Sequence, residues 1–450
     1  MSKVSLKEKL GFSLGEYSSS MVWQTLMYFL PFFYTDTFGL TAAASALMFG
    51  VVRVFDAFTD PIMGMITDRT ETRWGKFRPY ILWLSVPYGI FMVLLFTTPD
   101  LDQSGKIIYA YVSYSLMMLV YTAISIPYNS IIGVISPNPM TRTSVASYKF
   151  VFAYAAGISG QLLIIPLVEK FGKGSSASGY QITMSIFAVV AVACFLISFF
   201  SVRERVRPSV HQKTNIKKDL KDLVTNKPWL ILFFVSLTTL IYIAIRSSAI
   251  AYYFKYYMDR ESQMGIFMAV GTICVLLGVL PTKWLSEKIG KRKLYIASTA
   301  VVVLSSGFFF FVQPGNFVLA YVIHIIFSLA SGPAMPLLWS MLSDAADYSE
   351  WKNHRRATGL AFSALTFSQK SGFALGGIIV MSMLSMFGFV ANSEQTALSL
   401  QGIRLAMSVV PALMALVGFG LLFFYPLTEA KVHEISMDLE ERKKRDDSNL

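Results

Sequence analysis

Two carboxylates, Asp56 and Asp60, stand four residues apart in "RVFDAFTDPIMG", with Arg53 three residues before the first. "SALMFGVV" precedes this segment and "PIMGMI" carries on from it, so the acids sit in an apolar stretch. At i, i+4 spacing they share one face of a helix, a turn apart. Two acids so placed in a medium of low dielectric repel, which means that one holds a proton or that both share a bound cation. Charge inside a membrane segment is costly, and such groups are functional candidates for that reason. The alternative is a structural ion-pair network in which Arg53 and other bases neutralise both acids. A Na⁺ ion at Asp56 and Asp60 needs further oxygen ligands, since hard cations bind several oxygens.

Two polar stripes accompany the pair. Glu16, Ser20, Trp23 and Gln24 follow the i, i+4, i+7, i+8 spacing of one helical face. Lipid offers such a stripe no partners, so it faces protein or a water-filled cavity. Tyr121, Ser125 and Asn129 are again spaced by four. An aromatic ring for stacking beside hydroxyl and amide groups suits a sugar. Small polar residues also pack membrane helices against each other, which is the structural alternative. Lys149 in "SYKFVF", Arg246 in "IAIRSSAIAYYFKYY" and Lys370 in "TFSQKSGFALGG" add cations within apolar stretches. With Arg53 they make four bases against the three acids Glu16, Asp56 and Asp60. A cation held by the acids would then leave a positive excess, suited to an anionic substrate such as a uronate-bearing saccharide. Alternatively these bases pair with the acids and hold the two halves of the chain together.

The elements that must position these residues are membrane helices. Hydrophobic residues make up 54% of the chain and charged residues 15%, against about 25% charged in ordinary soluble domains; the mean hydropathy is +0.54. Twelve apolar spans are predicted, near 12–35, 43–67, 79–98, 106–135, 144–169, 180–202, 228–254, 262–282, 293–312, 317–343, 358–387 and 400–426. The chain reads as an all-α polytopic membrane protein. With both termini on one side, that side collects 29 of the 39 Lys and Arg, and positive-inside bias makes it the cytoplasm. The net charge of +12 is therefore a topology signal, and no nucleic acid is expected as a partner. "MSKVSLKEKL" leads into a segment bearing Glu16 and serines, without the pattern of a cleavable signal peptide. Cys194 and Cys274 lie in apolar segments as core residues, and the four histidines lack metal-ligand spacing.

The basic loop 203–227 divides the chain into an N-terminal six-helix bundle (1–202) and a C-terminal one (228–426), followed by a charged cytoplasmic tail, 427–450, expected to be solvated. The halves echo each other. "GMITDRTETRWGKFRPYIL" follows span 2 and "KWLSEKIGKRKLYIA" follows span 8, each with an acid, a Gly and a basic cluster. Such 6+6 pseudo-symmetry marks transporters that rock two bundles about a central site.

The loop "TDRTETRWGKFRP" resembles that between helices 2 and 3 of the major facilitator superfamily. "RVFDAFTDPIMG" with "DRTETRWGKFRP", "FFYTDTFGL", "YTAISIPYNS" and "DAADYSEWKNHRRATGLAFS" together resemble the glycoside–pentoside–hexuronide:cation symporters, of which the melibiose permease is the best known. The resemblance covers nearly the whole chain. It implies the twelve-helix major facilitator fold, cation coupling at Asp56 and Asp60, and Thr122 near the cation. Thr59 stands where the melibiose permease has an asparagine, a better cation ligand than a hydroxyl, which leaves Na⁺, Li⁺ and H⁺ open as coupling ions. Ser20, Ser125 and Asn129 replace that permease's two sugar-binding acids and its stacking tryptophan. Lys149 matches a usual family arginine and Lys370 a family lysine. The clusters Asp68, Arg69, Arg73, Lys76, Arg78 and Asp344, Asp347, Arg355, Arg356 are implied to form an inward-side gate.

The sequence thus predicts a secondary transporter rather than an enzyme: a sugar or glycoside, neutral or acidic, imported with Na⁺ or H⁺ by alternating access. It would be a multi-pass monomer in the lipid bilayer of a bacterial cytoplasmic (inner) membrane. No organic cofactor is called for, and the absence of G-x-x-x-x-G-K-[ST] argues against ATP as the driver. A proton-coupled exporter of drugs or metabolites is the alternative, though its cationic cargo would suit an acidic pocket better. An intramembrane aspartyl protease would need its two aspartates on different helices, whereas Asp56 and Asp60 share one. A sugar-sensing receptor would need an output domain.

Overall fold

A computed structural model describes residues 4–136, 138–205, 224–353 and 358–448. Helices start where side chains satisfy the free N–H groups of their first turn. Ser5 accepts from the Glu8 N–H at 3.2 Å to open α1 (Leu6–Tyr28). Thr41 does the same for α2 (Ala42–Arg69). Next comes α3 (Arg78–Leu95), with Pro79 in its first turn, and then α4 (Gln103–Val134), capped by Asp102. The chain continues through α5 (Pro139–Gly172), α6 (Ser176–Ser201), α7 (Lys227–Tyr252) and α8 (Met264–Val279). There follow α9 (Lys291–Phe308), α10 (Phe317–Ser331), α11 (Ala334–Asn353) and α12 (Thr358–Met386). Last come α13 (Ala397–Met407), α14 (Val409–Phe423) and α15 (Glu429–Ser448).

Every expected span falls on one of these helices or on a consecutive pair. Among the described residues, nine segments are long and apolar enough to cross a membrane. Of the expected spans outside these nine, α1 carries Glu16, α2, apolar from Ala42 to Arg53, carries the Asp56/Asp60 pair, and α12 carries Lys370. The tenth expected span is broken between α10 and α11, where Pro333 cannot continue the hydrogen-bond ladder. The twelfth is broken at Ser408, between α13 and α14. Pro411 supplies no N–H to the Met407 carbonyl one turn earlier, and Arg246 Nη1 donates to that carbonyl instead at 3.3 Å.

The described chain forms two compact units. The first comprises Met1–Val210, Ile250–Ala269 and Gly377–Leu400. Within it α1 packs on α5 and α6, α3 on α4 and α6, and α2 on α4. Phe12 stacks on Tyr128 with ring centroids 4.6 Å apart. At the end near Ser5, Glu8 accepts two bonds from the Arg205 guanidinium at 2.6 and 2.8 Å. The hydrogen-bonded Glu8 carboxylate holds that guanidinium above its ordinary pKa. Glu204 accepts from the backbone N–H groups of Lys76, Phe77 and Arg78 at 2.8–2.9 Å, where negative charge suits the start of α3. Gly75 (φ +112°) leaves room for it: a Cβ there would lie 2.6 Å from the carboxyl.

The second unit comprises His211–Ala249, Val270–Gly376 and Gln401–Leu450. Here α9 packs on α10, α11 and α14 around Trp229, Leu338, Met341 and Tyr425. The tail is a correction to the solvated reading. Ile435 and Leu439 of α15 are buried in that core, with Val432 packed beside them, and Trp351 Nε1 donates to Asp438 at 2.9 Å. Spacing of 3 and 4 residues puts these apolar side chains on one face, which the surrounding charges obscure in composition.

Candidate functional site

The acid pair is held by α2 and closed by α4. Thr122 Oγ lies 2.9 Å from Asp56 Oδ1 and 3.1 Å from Asp60 Oδ1. Asp56 is 2% exposed and Thr122 1%. One hydroxyl carries one proton, so it can donate to one carboxyl and accept from the other only if that other is protonated. The arrangement suits a pair that shares one positive charge, either a proton or a metal cation. Thr59 behaves differently: its hydroxyl donates to the Asp56 backbone carbonyl at 3.0 Å. Arg53 Nη1 stands 4.0 Å from Asp56 Oδ2, the loose limit of an ion pair.

The two polar stripes meet beside this pair. Ser20 Oγ donates to Glu16 at 2.9 Å, and Lys149 Nζ of α5 lies 3.2 Å from the other Glu16 oxygen. The same ammonium donates to Asn129, whose amide donates to the Ser125 carbonyl at 2.8 Å. Ser19 links the stripes, 3.3 Å from Ser125 Oγ and 3.5 Å from the Tyr121 hydroxyl. The Trp23 and Tyr121 rings are 5.3 Å apart. Gln24 bridges the Ala153 carbonyl and Gln161, each at 3.5 Å, and a Cβ on Gly157 would lie 2.4 Å from its amide. Hydroxyls, amides, one ion pair and two aromatic rings are thus gathered by α1, α4 and α5.

Of the seven membrane charges singled out in the sequence, five lie in the first unit. Glu16, Asp56 and Asp60 face Arg53 and Lys149, three acids against two bases, a formal sum of −1. Lys370, half-buried on α12, and Arg246 belong to the second unit. Arg246 is 3% exposed. Its guanidinium carbon lies 4.0 Å from the centre of the Phe327 ring and 4.8 Å from that of Phe309, and Nη2 lies 3.3 Å from His324 Nδ1. With the Met407 carbonyl, these surroundings suit a structural task for Arg246. Arg246→Leu is expected to cost roughly 1–3 kcal/mol by stranding that carbonyl, seen as a lowered unfolding midpoint of the detergent-solubilised protein. An unchanged midpoint with weakened ligand binding would instead assign Arg246 to the substrate site.

Several members of the charged clusters have described partners. Arg78 Nη2 donates to the Phe199 carbonyl at 2.8 Å, Arg73 lies over Trp74, Lys76 lies over Phe77, and Arg69 is exposed. Asp344 pairs with Lys291 at 2.7 Å, and Asp347 is half-buried. Arg355, Arg356 and the Asp68 side chain lie outside the described residues.

One network escaped the sequence reading. At the end of the first unit away from Ser5, α1 leads into a π-helix at Phe33–Thr37 and α7 into another at Tyr253–Tyr257. Asp36 from the first accepts from Lys255 Nζ of the second at 2.7 Å and from the Tyr256 hydroxyl. Lys255 also donates to Asn392 at 2.8 Å, and the Asn392 amide donates to the Asp36 carbonyl at 2.6 Å. Asp36 lies in the motif "FFYTDTFGL", and the two π-helices end the first spans of the two halves; that correspondence was the available signal.

Comparison with known proteins bears on this arrangement. YagG of Escherichia coli (strain K12), named for glycoside/cation symport, is 36% identical over 443 residues, 98% of this chain and 96% of its own length. The isoprimeverose transporter of Lactiplantibacillus pentosus is 34% identical, over 97% of this chain and 91% of its own. The fold matches the crystal structure of a bacterial homologue of the human lysosomal transporter Spinster, inward-facing and occupied. That match has a TM-score of 0.70 at 16% identity, over 95% of this chain and 97% of that one. The model of the family described as MFS/sugar transport protein matches residues 11–429, nearly the whole span from α1 to the start of α15, so the chain belongs to that family of membrane transporters.

Proposed function

We propose that this transporter imports a glycoside together with one monovalent cation, Na⁺ or H⁺, by alternating access. The observation that carries the reading is the Thr122 hydroxyl set between the Asp56 and Asp60 carboxyls inside an apolar bundle. The relatives named for glycoside/cation symport and for isoprimeverose transport support it. Cation and sugar enter from the outside, the cation at Asp56, Asp60 and Thr122. The sugar lies along Trp23, Tyr121, Ser125 and Asn129, with the Glu16–Lys149 pair offering acceptor and donor together. Glu16, Asp56 and Asp60 with Arg53 and Lys149 carry a formal −1 that one bound cation brings to zero, a balance that favours a neutral glycoside over an acidic one. The bundles 1–202 and 228–426 then rock about the site, with both termini in the cytoplasm and the chain working as a monomer in the inner membrane.

The test is uptake by proteoliposomes under imposed Na⁺ or H⁺ gradients, across a panel of neutral glycosides, isoprimeverose among them, and uronates of matched size. Accumulation of a neutral member driven by one of the gradients is expected. Flux indifferent to both gradients would sink the symport reading, and a preference for uronates would sink the neutral one.

A further inference from the structure

Trp23 links the sugar platform to Arg53, which neighbours the cation pair. Trp23 of α1 is half-buried, and its ring is tilted 30° to that of Tyr121 at 5.3 Å between centroids. The Arg53 guanidinium carbon lies 5.1 Å from the same indole's centroid. Arg53, its side chain 8% exposed, reaches Asp56 Oδ2 only at 4.0 Å. Asp56, Arg53, Trp23 and Tyr121 therefore form a continuous line from the acids to the platform. Along this line the guanidinium has two competing attractors, a carboxylate at the edge of ion-pair range and the electron-rich face of an indole.

We propose that Trp23 is the positioning residue that couples cation occupancy to sugar affinity, an inference that rests on the symport reading above. A cation at Asp56 and Asp60 competes with Arg53 for carboxylate charge and repels the guanidinium, whose remaining attractor along the line is the indole. With Arg53 seated on that face, the tilt of Trp23 against Tyr121 is fixed, and the platform is ordered before the sugar docks. Linkage makes the effect reciprocal: a sugar stacked on the ordered rings draws Arg53 onto Trp23, frees carboxylate charge and tightens the cation by the same factor. A second route exists along α4, where Thr122 adjoins Tyr121 in the chain, and the test must separate the two.

The experiment compares wild type, Trp23→Leu and Trp23→Phe as full chains in lipid nanodiscs. The probe is isoprimeverose, or the panel glycoside with the largest gradient-driven uptake by wild type. Its dissociation constant is measured without the coupling ion and at saturation. Wild type is expected to bind about tenfold more tightly with the ion, within the usual range of coupling factors. Trp23→Leu is expected to bring that ratio to within about twofold of one, and Trp23→Phe, which keeps a ring face, to keep part of it. If Trp23 were only a wall of the sugar site, affinity would fall alike with and without the ion and the ratio would stay at its wild-type value. That result, or coupling carried wholly along α4 with the same unchanged ratio, would overturn the proposal and leave symport standing. A wild-type ratio of one would overturn both. Should Trp23→Leu fail to fold, a full wild-type ratio in a Trp23→Phe/Arg53→Lys double variant, where a weaker ring meets a more hydrated cation, would overturn the proposal equally.

Discussion

Asp56→Asn is expected to abolish gradient-driven accumulation of sugar while leaving the downhill flux measurable. The substitution keeps the shape of a side chain that is 2% exposed and removes the charge that Thr122 and Arg53 face. What is left at Asp60 must hold a cation with one carboxylate, no longer helped by the repulsion that makes a shared positive charge favourable. The scale of the effect comes from the driving force. One charge crossing a potential of 100 mV is worth about 2.3 kcal/mol, enough for roughly 50-fold accumulation of a neutral sugar carried with one cation. In Asp56→Asn the ratio should fall to about one, as uncoupled equilibration requires. Proteoliposomes with an imposed potential and a fixed cation gradient measure both quantities, and accumulation at the wild-type level in this variant would refute the coupling role.

The second large effect is expected at the opposite end of the first unit. Asp36, its side chain 2% exposed, accepts from Lys255, Tyr256 and the neighbouring Thr35 hydroxyl, so Asp36→Ala removes the counter-charge of a partly buried ammonium and the acceptor of the Tyr256 hydroxyl. Breaking a buried pair on one side costs about 3–5 kcal/mol, roughly two to four powers of ten in the equilibrium that closes this end. Thr35 reports on it directly. It is 2% exposed and packed on Tyr252, whose hydroxyl lies 2.9 Å from its own. A cysteine at Thr35, in a background with Cys194 and Cys274 replaced by serine, should react with a water-soluble maleimide at least tenfold faster once Asp36 is alanine. The exchanged pair, Asp36→Lys with Lys255→Asp, should recover much of the protection, because attraction between the two sites does not depend on which carries which sign. Equal labelling rates in all three backgrounds would show that the network does not hold this end closed.

Local chemistry was legible in the chain itself. The i, i+4 acids on an apolar helix, the stripes at Glu16–Gln24 and Tyr121–Asn129 and the helical spans are all properties of residues close in sequence. Helical periodicity and the cost of charge in a membrane read them without reference to anything distant. The partners of those residues were another matter. Thr59 and Thr122 were equivalent as hydroxyls near the pair, and only the packing of α4 on α2 decides that Thr122 bridges the carboxyls while Thr59 turns back to its own helix. Arg246 counted as one more buried base until the break before Pro411 came to lie beside it. Asp36 and Lys255, 219 residues apart, are ordinary charges at helix ends in the sequence and become a pair only when two π-helices bring them together. The tail looked solvated because its charges outnumber Val432, Ile435 and Leu439, whose common face acquires meaning only against the core around Trp351. The sequence by itself determined which groups could bear charge inside the membrane and along which helix face. The tertiary structure decided which of them neutralise each other, because electrostatic pairing in a low-dielectric bundle falls steeply with distance and those distances are set by how the helices pack.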